Sequence, residues 1–223
     1  TRAPQLYASE TTVDSLLFTL WDQTEPFRSL CPEKDGQLVP NGCVSTAFAQ
    51  VMRYPKWPVH PTGVTPAYIT MPFGDKIPEN DLNERTYNWD DMLLDYSGSY
   101  TEKQGQAVAQ LCYDLGVAST MSYNVDAAGG SGTNFIVAAH AMLEHFGYNK
   151  GAYIDYADKY SEEEWTAKLK NEINQGRPLP YSGAVKGPKP GGHCFVVDGY
   201  NAEGHFHVNW GWGGTSNGYF LIT

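Results

Sequence analysis

Apolar residues recur at helical intervals in five stretches of the chain, which then changes to the short period of strands. Val13, Leu16, Leu17 and Leu20 follow an i, i+3, i+4, i+7 spacing that predicts an amphipathic helix over 9–21. A second helix opens at Cys43, where Val44, Ala47, Phe48, Val51 and Met52 keep the spacing until Pro55 stops it. Thr101 with Gln104 forms a capping-box pattern, and Val108, Leu111, Cys112 and Leu115 carry the third helix to Gly116. A fourth runs through Phe135, Ala138, Met142 and Phe146 to Gly147. Ser161 and Glu164 make another capping box, and Trp165, Leu169 and Ile173 face the core until Gly176 and Pro178.

Beyond Pro178 the segments 179–184, 194–200, 205–210 and 219–222 are short, β-branched or aromatic, and divided by Gly- and Asn-containing turns. Helices first and strands later predict an α+β fold with a mostly antiparallel sheet. Between the helices, 26–40 reads as a loop and the prolines from Pro55 to Pro66 enforce extended or turning backbone. Residues 67–90 read as an irregular sheet edge or surface excursion, with Tyr68, Ile69 and Met71 as the strand-like cluster. No internal repeat or low-complexity linker divides the chain. It reads as one compact unit over 1–223, helical over roughly 1–150 and β-rich over roughly 151–223.

Composition sharpens this picture in three respects. A chain of 223 residues with 41% hydrophobic residues is long enough to bury a proper core, and 15 tyrosines, 6 tryptophans, 23 glycines and 14 prolines favour turns and sheet over a helical bundle. The formal charge of −10 argues against nucleic acid and against anionic membrane surfaces as partners. No apolar run approaches the ~18 residues that cross a bilayer. Thr1 is not an initiator Met, so the chain reads as either a processed form or a piece cut from a longer one. Cys31, Cys43, Cys112 and Cys194 show no CxxC pairing, which argues against a zinc site. Cys112 falls on the apolar stripe of its helix. If Cys43 stays free, at most one disulfide can form among the other three.

Cys43 is the candidate for chemistry. A turn-forming Asn41-Gly42 pair precedes it, so the cysteine falls in the first turn of a helix, where unpaired N–H groups and the positive dipole end favour an anion such as a thiolate. Taken alone, the stretch fits an ordinary buried cysteine equally well. A thiolate nucleophile needs an imidazole nearby. His140 and His145 sit on the fourth helix and face solvent, and His60 lies among prolines. His205 and His207 share one polar strand face, without a clear third ligand for a metal.

His193 differs, because Pro190-Gly191-Gly192 before it lets another backbone approach and a strand begins with it. With 201–204 as a four-residue hairpin loop, Tyr200 opposes His205 and His193 opposes Trp212. Trp210 is then the diagonal neighbour on the same face, and Asn209 points the other way unless the register slips by one residue or Gly211 bulges. The loop Gly129-Gly130-Ser131-Gly132 lacks the sequel of a phosphate-binding loop.

Three stretches together carry a family resemblance: Gly42-Cys43-Val44-Ser45-Thr46-Ala47 with Ala49-Gln50-Val51-Met52-Arg53-Tyr54, then Gly191-Gly192-His193-Cys194-Phe195-Val196-Val197-Asp198-Gly199, then His207-Val208-Asn209-Trp210-Gly211-Trp212-Gly213-Gly214 followed by Gly218-Tyr219-Phe220. In order and separation they resemble the streptopain family of papain-like cysteine peptidases, and Tyr87-Asn88-Trp89 and Phe146-Gly147-Tyr148-Asn149 fall in place. The resemblance implies a papain-like two-lobed fold, a helical lobe bearing the cysteine and a β-rich lobe bearing the histidine, with the active site in the cleft between. By position it makes Cys43 the nucleophile and His193 its acid/base partner. Gln23 becomes the residue whose amide completes the oxyanion hole with the Cys43 N–H. Asn209, 16 residues after His193, stands where papain's imidazole-orienting asparagine would be, whereas the hairpin parity favours Trp210 and Trp212; both readings stay open.

The resemblance further implies substrate contacts from Trp212, from Ser131 and Gly132, and from Gly191 and Gly192. It implies a mature secreted form whose partners are protein or peptide substrates and, before maturation, its own inhibitory pro-segment. No metal or organic cofactor is implied. Two departures stand out: the Cys-Gly-Ser-Cys-Trp signature of papain itself is absent, and the sequence stops at Thr223 where relatives continue through a Gly-rich loop. The expectation is a cysteine endopeptidase. An amidase or acyl-transferase using the same pair on a small molecule, and a non-catalytic binding relative, are the alternatives.

Overall fold

The computed structural model describes residues 12–125, 129–149, 151–185 and 191–222. Helix α1, Cys43–Arg53, lies at the centre: Val44 to Met52 are all buried, the polar ones included. Most polar side-chain atoms of this stretch find partners inside the core, whereas the buried Gln50 Nε2 has none. Ser45 Oγ donates to the Cys112 carbonyl at 2.6 Å, and Gln50 Oε1 accepts from Thr19 Oγ1 at 2.7 Å. Around α1 pack α2, Glu102–Ala118, and α3, Phe135–Glu144. Their core includes Trp21, Phe27, Phe48, Met52, Leu111 and Phe146.

The capping boxes at Thr101 and at Ser161 both form with the expected partners. Gly116 does not end α2, which runs two residues further. A Cβ at Gly116 would lie 2.3 Å from Tyr123 Oη, so that glycine is required for packing and not for termination. Cys112 is fully buried in the core, and all four cysteines are free.

The second region is a four-stranded antiparallel sheet with α4, Glu162–Asn174, on one face. Its strands are β7, Leu179–Val185, β8, Gly191–Tyr200, β9, Phe206–Asn209, and β10, Gly218–Phe220, in the order β10-β9-β8-β7. Trp165, Leu169 and Ile173 of α4 pack on Phe195, Val197, Tyr200, Phe206 and Val208. The opposite face of β8 gives Cys194 and Val196 to the helical core, so β8 is buried on both sides. Helices packed against a four-stranded antiparallel sheet make the expected α+β architecture.

Two stretches depart from the sequence reading. The helix expected over 9–21 is absent from 12–21, the part of it that the structure describes. There the chain is an extended strap: Val13 and Tyr200 exchange backbone hydrogen bonds at 3.0 and 2.9 Å, and the Leu16 N–H donates to the Asp198 carbonyl at 3.0 Å. Gly199 makes this possible, since a Cβ there would stand 2.9 Å from the Val13 carbonyl oxygen. Burial alternates with a period of two: Leu17, Thr19 and Trp21 point inward, Phe18 and Leu20 outward. Leu20, expected in the core, is exposed, and polar Thr19 is buried.

The second departure is in 26–40 and 67–90, where short ladders replace the expected loop and irregular edge. Strands β1, Glu33–Lys34, and β2, Gln37–Leu38, pair across a turn, and β3, Val64–Thr65, pairs with β6, Asn80–Asp81, around an inner ladder of β4, Tyr68–Ile69, drawn from the expected strand-like cluster, with β5, Lys76–Ile77.

Candidate active site

The start of α1 is set by a residue with no side chain. Gly42 has φ 88° and ψ 143°, a backbone conformation that favours glycine. A Cβ there would lie 2.7 Å from Met121 Cε and 3.1 Å from the Ser131 carbonyl oxygen. Glycine therefore lets the 129–134 loop close against the turn that delivers Cys43. Cys43, half-buried, is the first helical residue, and no side chain caps the N–H groups of that turn. Those groups remain available to a negative charge.

The strap brings Gln23 to the same turn. Asn41 donates its N–H to the Gln23 carbonyl at 3.4 Å, and Thr46 Oγ1 of α1 donates to the Asp22 carbonyl at 3.2 Å. Gln23 is half-buried there.

His193 stands at the open end of β8, a strand that α1 packs against. Its Nε2 lies 2.8 Å from the Trp210 carbonyl oxygen and donates to it in the matching tautomer, which leaves Nδ1 with a free lone pair. The ring sits 4.8 Å from Trp212 and 6.1 Å from Trp210, and the two indoles stack at 5.4 Å with an interplanar angle of 15°. Burial lowers the His193 pKa below the ordinary imidazole value, while the hydrogen bond to the Trp210 carbonyl acts in the opposite direction.

The neighbouring Cys194 thiol is pushed up well above its ordinary range, first by burial and then by the charge of Cys43. The tryptophan-bearing loop touches α1 as well. Gly211, with φ 70°, would put a Cβ 3.1 Å from Thr46 Cγ2, one turn beyond Cys43.

Trp210 and Trp212 thus flank the imidazole as the hairpin parity required, although the register reaches that result by another route. Tyr200 opposes Phe206 and not His205, and a bulge between Val197 and Gly199 restores the expected pairing at Val196 and Asn209. The bulge is at Asp198 and not at Gly211. Asp198 is wholly buried; its carboxylate accepts the Leu17 N–H at 2.7 Å and meets His207 Nδ1 at 2.6 Å. That pairing occupies His207, so the His-x-His pair is not a free ligand set.

The hydrogen bonds of Asn209 run to the strap and to the tryptophan loop. Its Nδ2 donates to the Thr19 carbonyl at 2.7 Å and its Oδ1 accepts the Gly211 N–H at 3.1 Å. Asn209 fastens the strap and the tryptophan loop, and the group at the imidazole is the Trp210 carbonyl.

Ser131 is buried, its Oγ 3.2 Å from the Asn124 N–H, while Gly132 is exposed and pairs with Ser122 through backbone hydrogen bonds. Gly191 and Gly192 are exposed at the start of β8 beside His193, and Pro190 lies outside the described residues. Elsewhere, His145 Nδ1 meets the Thr62 carbonyl at 2.9 Å, and His60 and His140 are exposed. Thr19 and Asp198 were not among the expected site residues. A lone acidic residue inside the apolar run Cys194 to Tyr200 was the available signal for Asp198. Among the described residues, no group of three His, Cys, Asp or Glu side chains could hold a metal, and no helix is long and apolar enough to cross a membrane.

A cysteine at the start of a buried helix, packed beside a sheet strand that presents a histidine, is the arrangement of a papain-like cysteine peptidase. The chain belongs to the peptidase C10 family, whose sequence profile matches residues 21–220. It is 35% identical over 193 residues to streptopain of Streptococcus pyogenes, covering 84% of this chain and 46% of that one. It is 35% identical over 221 residues to the thiol protease/hemagglutinin PrtT of Porphyromonas gingivalis, covering 99% of this chain and 24% of that one. The chain therefore spans about half the length of the streptopains it matches and a quarter of PrtT. Among solved structures, the active interpain A cysteine protease of Prevotella intermedia superposes with a TM-score of 0.89 at 36% identity, covering 100% of this chain and 91% of that one. The prointerpain A fragment from the same organism gives a TM-score of 0.84 at 38% identity, with coverages of 99% and 68%.

Proposed function

We propose that this chain is the peptidase unit of a cysteine endopeptidase that uses Cys43 as nucleophile and His193 as proton carrier. One observation carries the reading: a cysteine opens a buried helix on a glycine that admits no side chain, and that helix packs on the strand of an imidazole whose Nε2 is already engaged. Nδ1 of His193 is then the atom that takes the thiol proton. The Cys43 thiolate attacks a peptide carbonyl, forming a carbon–sulfur bond, and the Gln23 amide and the Cys43 N–H hold the oxyanion. His193 gives its proton to the departing amine as the carbon–nitrogen bond breaks. Water, deprotonated by the same imidazole, then cleaves the thioester and returns the thiolate.

Trp210 and Trp212 shield the imidazole from water, and Asn209 holds the loop that carries them. Ser131 with Gly132 on one side, and Gly191 with Gly192 on the other, line the approach of an extended peptide. By analogy with the precursor form of interpain A, a pro-segment precedes the mature unit, and the natural setting is outside the cell.

Cleavage of casein and of an internally quenched peptide tests this. Cys43→Ala is expected to remove activity by a factor of about 10⁵ or more, with the fold kept by circular dichroism, and Cys31→Ala to keep it. Peptide cleavage that survives in Cys43→Ala sinks the assignment. Turnover of small amides alone, with no peptide cut, moves it to an amidase.

A further inference from the structure

We propose that an apolar shelf built by Phe18, Leu20 and Leu94 continues the substrate cleft beyond Trp212 and selects apolar, non-acidic residues on the leaving side of the scissile bond; this rests on the peptidase reading above. The departing amine takes its proton from His193, so the chain on its carboxyl side leaves across that imidazole and the indole 4.8 Å away. What lies beyond the indole is continuous with it. Gly213 donates its N–H to the Trp21 carbonyl at 3.1 Å, and a Cβ at Gly214 would meet Leu20 Cδ2 at 3.0 Å. Leu20 in turn donates its N–H to the Leu94 carbonyl at 2.7 Å.

The outward side of the strap should by ordinary economy be polar. Instead Phe18 is 71% exposed, Leu94 43% and Leu20 37%, and Trp212 is 45% exposed in the loop whose Gly214 meets Leu20. Clustered exposed apolar side chains that continue a cleft mark a binding surface. An extended peptide advances about 3.3 Å per residue, so residues beyond the first on the leaving side are the ones that would meet the shelf.

Charge sets the other half of the preference. The Asp22 carboxylate stands 3.5 Å from the Cβ position of Gly213, and Asp95 pairs with Leu20 in a parallel bridge. Ser97 hydrogen bonds hold Asp95 below the usual carboxylate range, so it is ionised at neutral pH. Two carboxylates beside the shelf repel an acidic side chain entering it.

The test exploits the acyl-enzyme. A peptidyl coumarin amide carries no residue on its leaving side and loads Cys43 as a thioester. An added peptide amine then competes with water: its nitrogen attacks the thioester carbonyl, the carbon–sulfur bond breaks, its proton passes to His193, and sulfur departs as thiolate. Gly-Leu-Leu amide is expected to capture the acyl group about tenfold better than Gly-Ser-Ser amide, and Gly-Asp-Asp amide to be the poorest acceptor. In L20N/L94N the advantage of the leucine acceptor, read as the ratio of aminolysis to hydrolysis so that any change in overall rate cancels, falls to within about twofold. Equal capture of the three acceptors by the unaltered protein overturns the shelf, and so does an undiminished leucine preference in a folded L20N/L94N. Absence of any coumarin release by the unaltered protein overturns the peptidase reading and the shelf with it.

Discussion

Helix α1 and the strap over 12–23 deliver two candidate groups to one point, Cys43 and Gln23, by opposite means. In α1 the code is local: a glycine at φ 88° starts it, apolar residues at helical spacing carry it to Arg53, and the cysteine's position follows from the helix itself. In the strap nothing local fixes the shape. Its backbone groups find partners in Tyr200, Asp198, Leu94, Asn41 and Asn209, from four different parts of the chain. The lesson is that the proposed nucleophile is placed by short-range structure, whereas the proposed oxyanion donor is placed by tertiary contacts and is the easier of the two to displace.

The sharpest way to test that contrast is to remove the donor without touching its support. Gln23→Ala is expected to lower kcat by about 10²–10³, the usual cost of one oxyanion-hole donor, with the melting temperature unchanged because the side chain is only half-buried. A kcat within threefold of the unaltered protein, measured on the same quenched peptide, would remove Gln23 from the chemistry.

Next in size is the loss of the support itself. Asn209→Ala leaves the Thr19 carbonyl and the Gly211 N–H without partners in a buried setting. Orphaning groups of this kind costs about 2 kcal/mol, which for a chain of this size lowers the melting temperature by roughly 4–8 °C. The strap then loosens, and kcat falls about tenfold through Gln23. A double-mutant cycle decides the route: Asn209→Ala should cost little further kcat once Gln23 is already Ala. Additive losses, with a shifted pH profile, would instead return Asn209 to the imidazole.

The sequence disclosed the parts whose shape depends on neighbours in the chain. Both capping boxes, α1 with Cys43 in its first turn, and the sheet strands were legible because propensity, capping and periodicity agreed there. The strap was not. Val13, Leu16, Leu17 and Leu20 match a helical stripe, yet Leu17, Thr19 and Trp21 also match a period of two, and pairing with Tyr200 and Asp198 decided for the second. Likewise the bulge at Asp198 answers to the Leu17 N–H, 181 positions away, as well as to His207 on the adjoining strand. The tryptophans beside His193 were foreseen from strand parity alone because parity survives when two offsets compensate. The Trp210 carbonyl was not, since a backbone acceptor leaves no mark in residue identity.

The imidazole supplies the smallest effect, and it separates the two regions once more. Burial holds the folded-state pKa of His193 below that of the unfolded chain, near 6.5. The unfolded chain therefore takes up this proton first as pH falls, so the contribution is fully present above about 6.5 and is lost as pH drops through that value toward the lower folded one. His193→Gln removes the linkage. Between pH 7.5 and 5 the melting temperature of the variant should fall less than that of the unaltered protein, whereas Cys43→Ala, altering the other arm of the site, should leave the slope with its imidazole contribution in place. Parallel curves for His193→Gln and the unaltered protein would show that the tryptophan wall does not keep water from the ring. The indoles would then be read as walls for the peptide and not as a shield for the proton carrier.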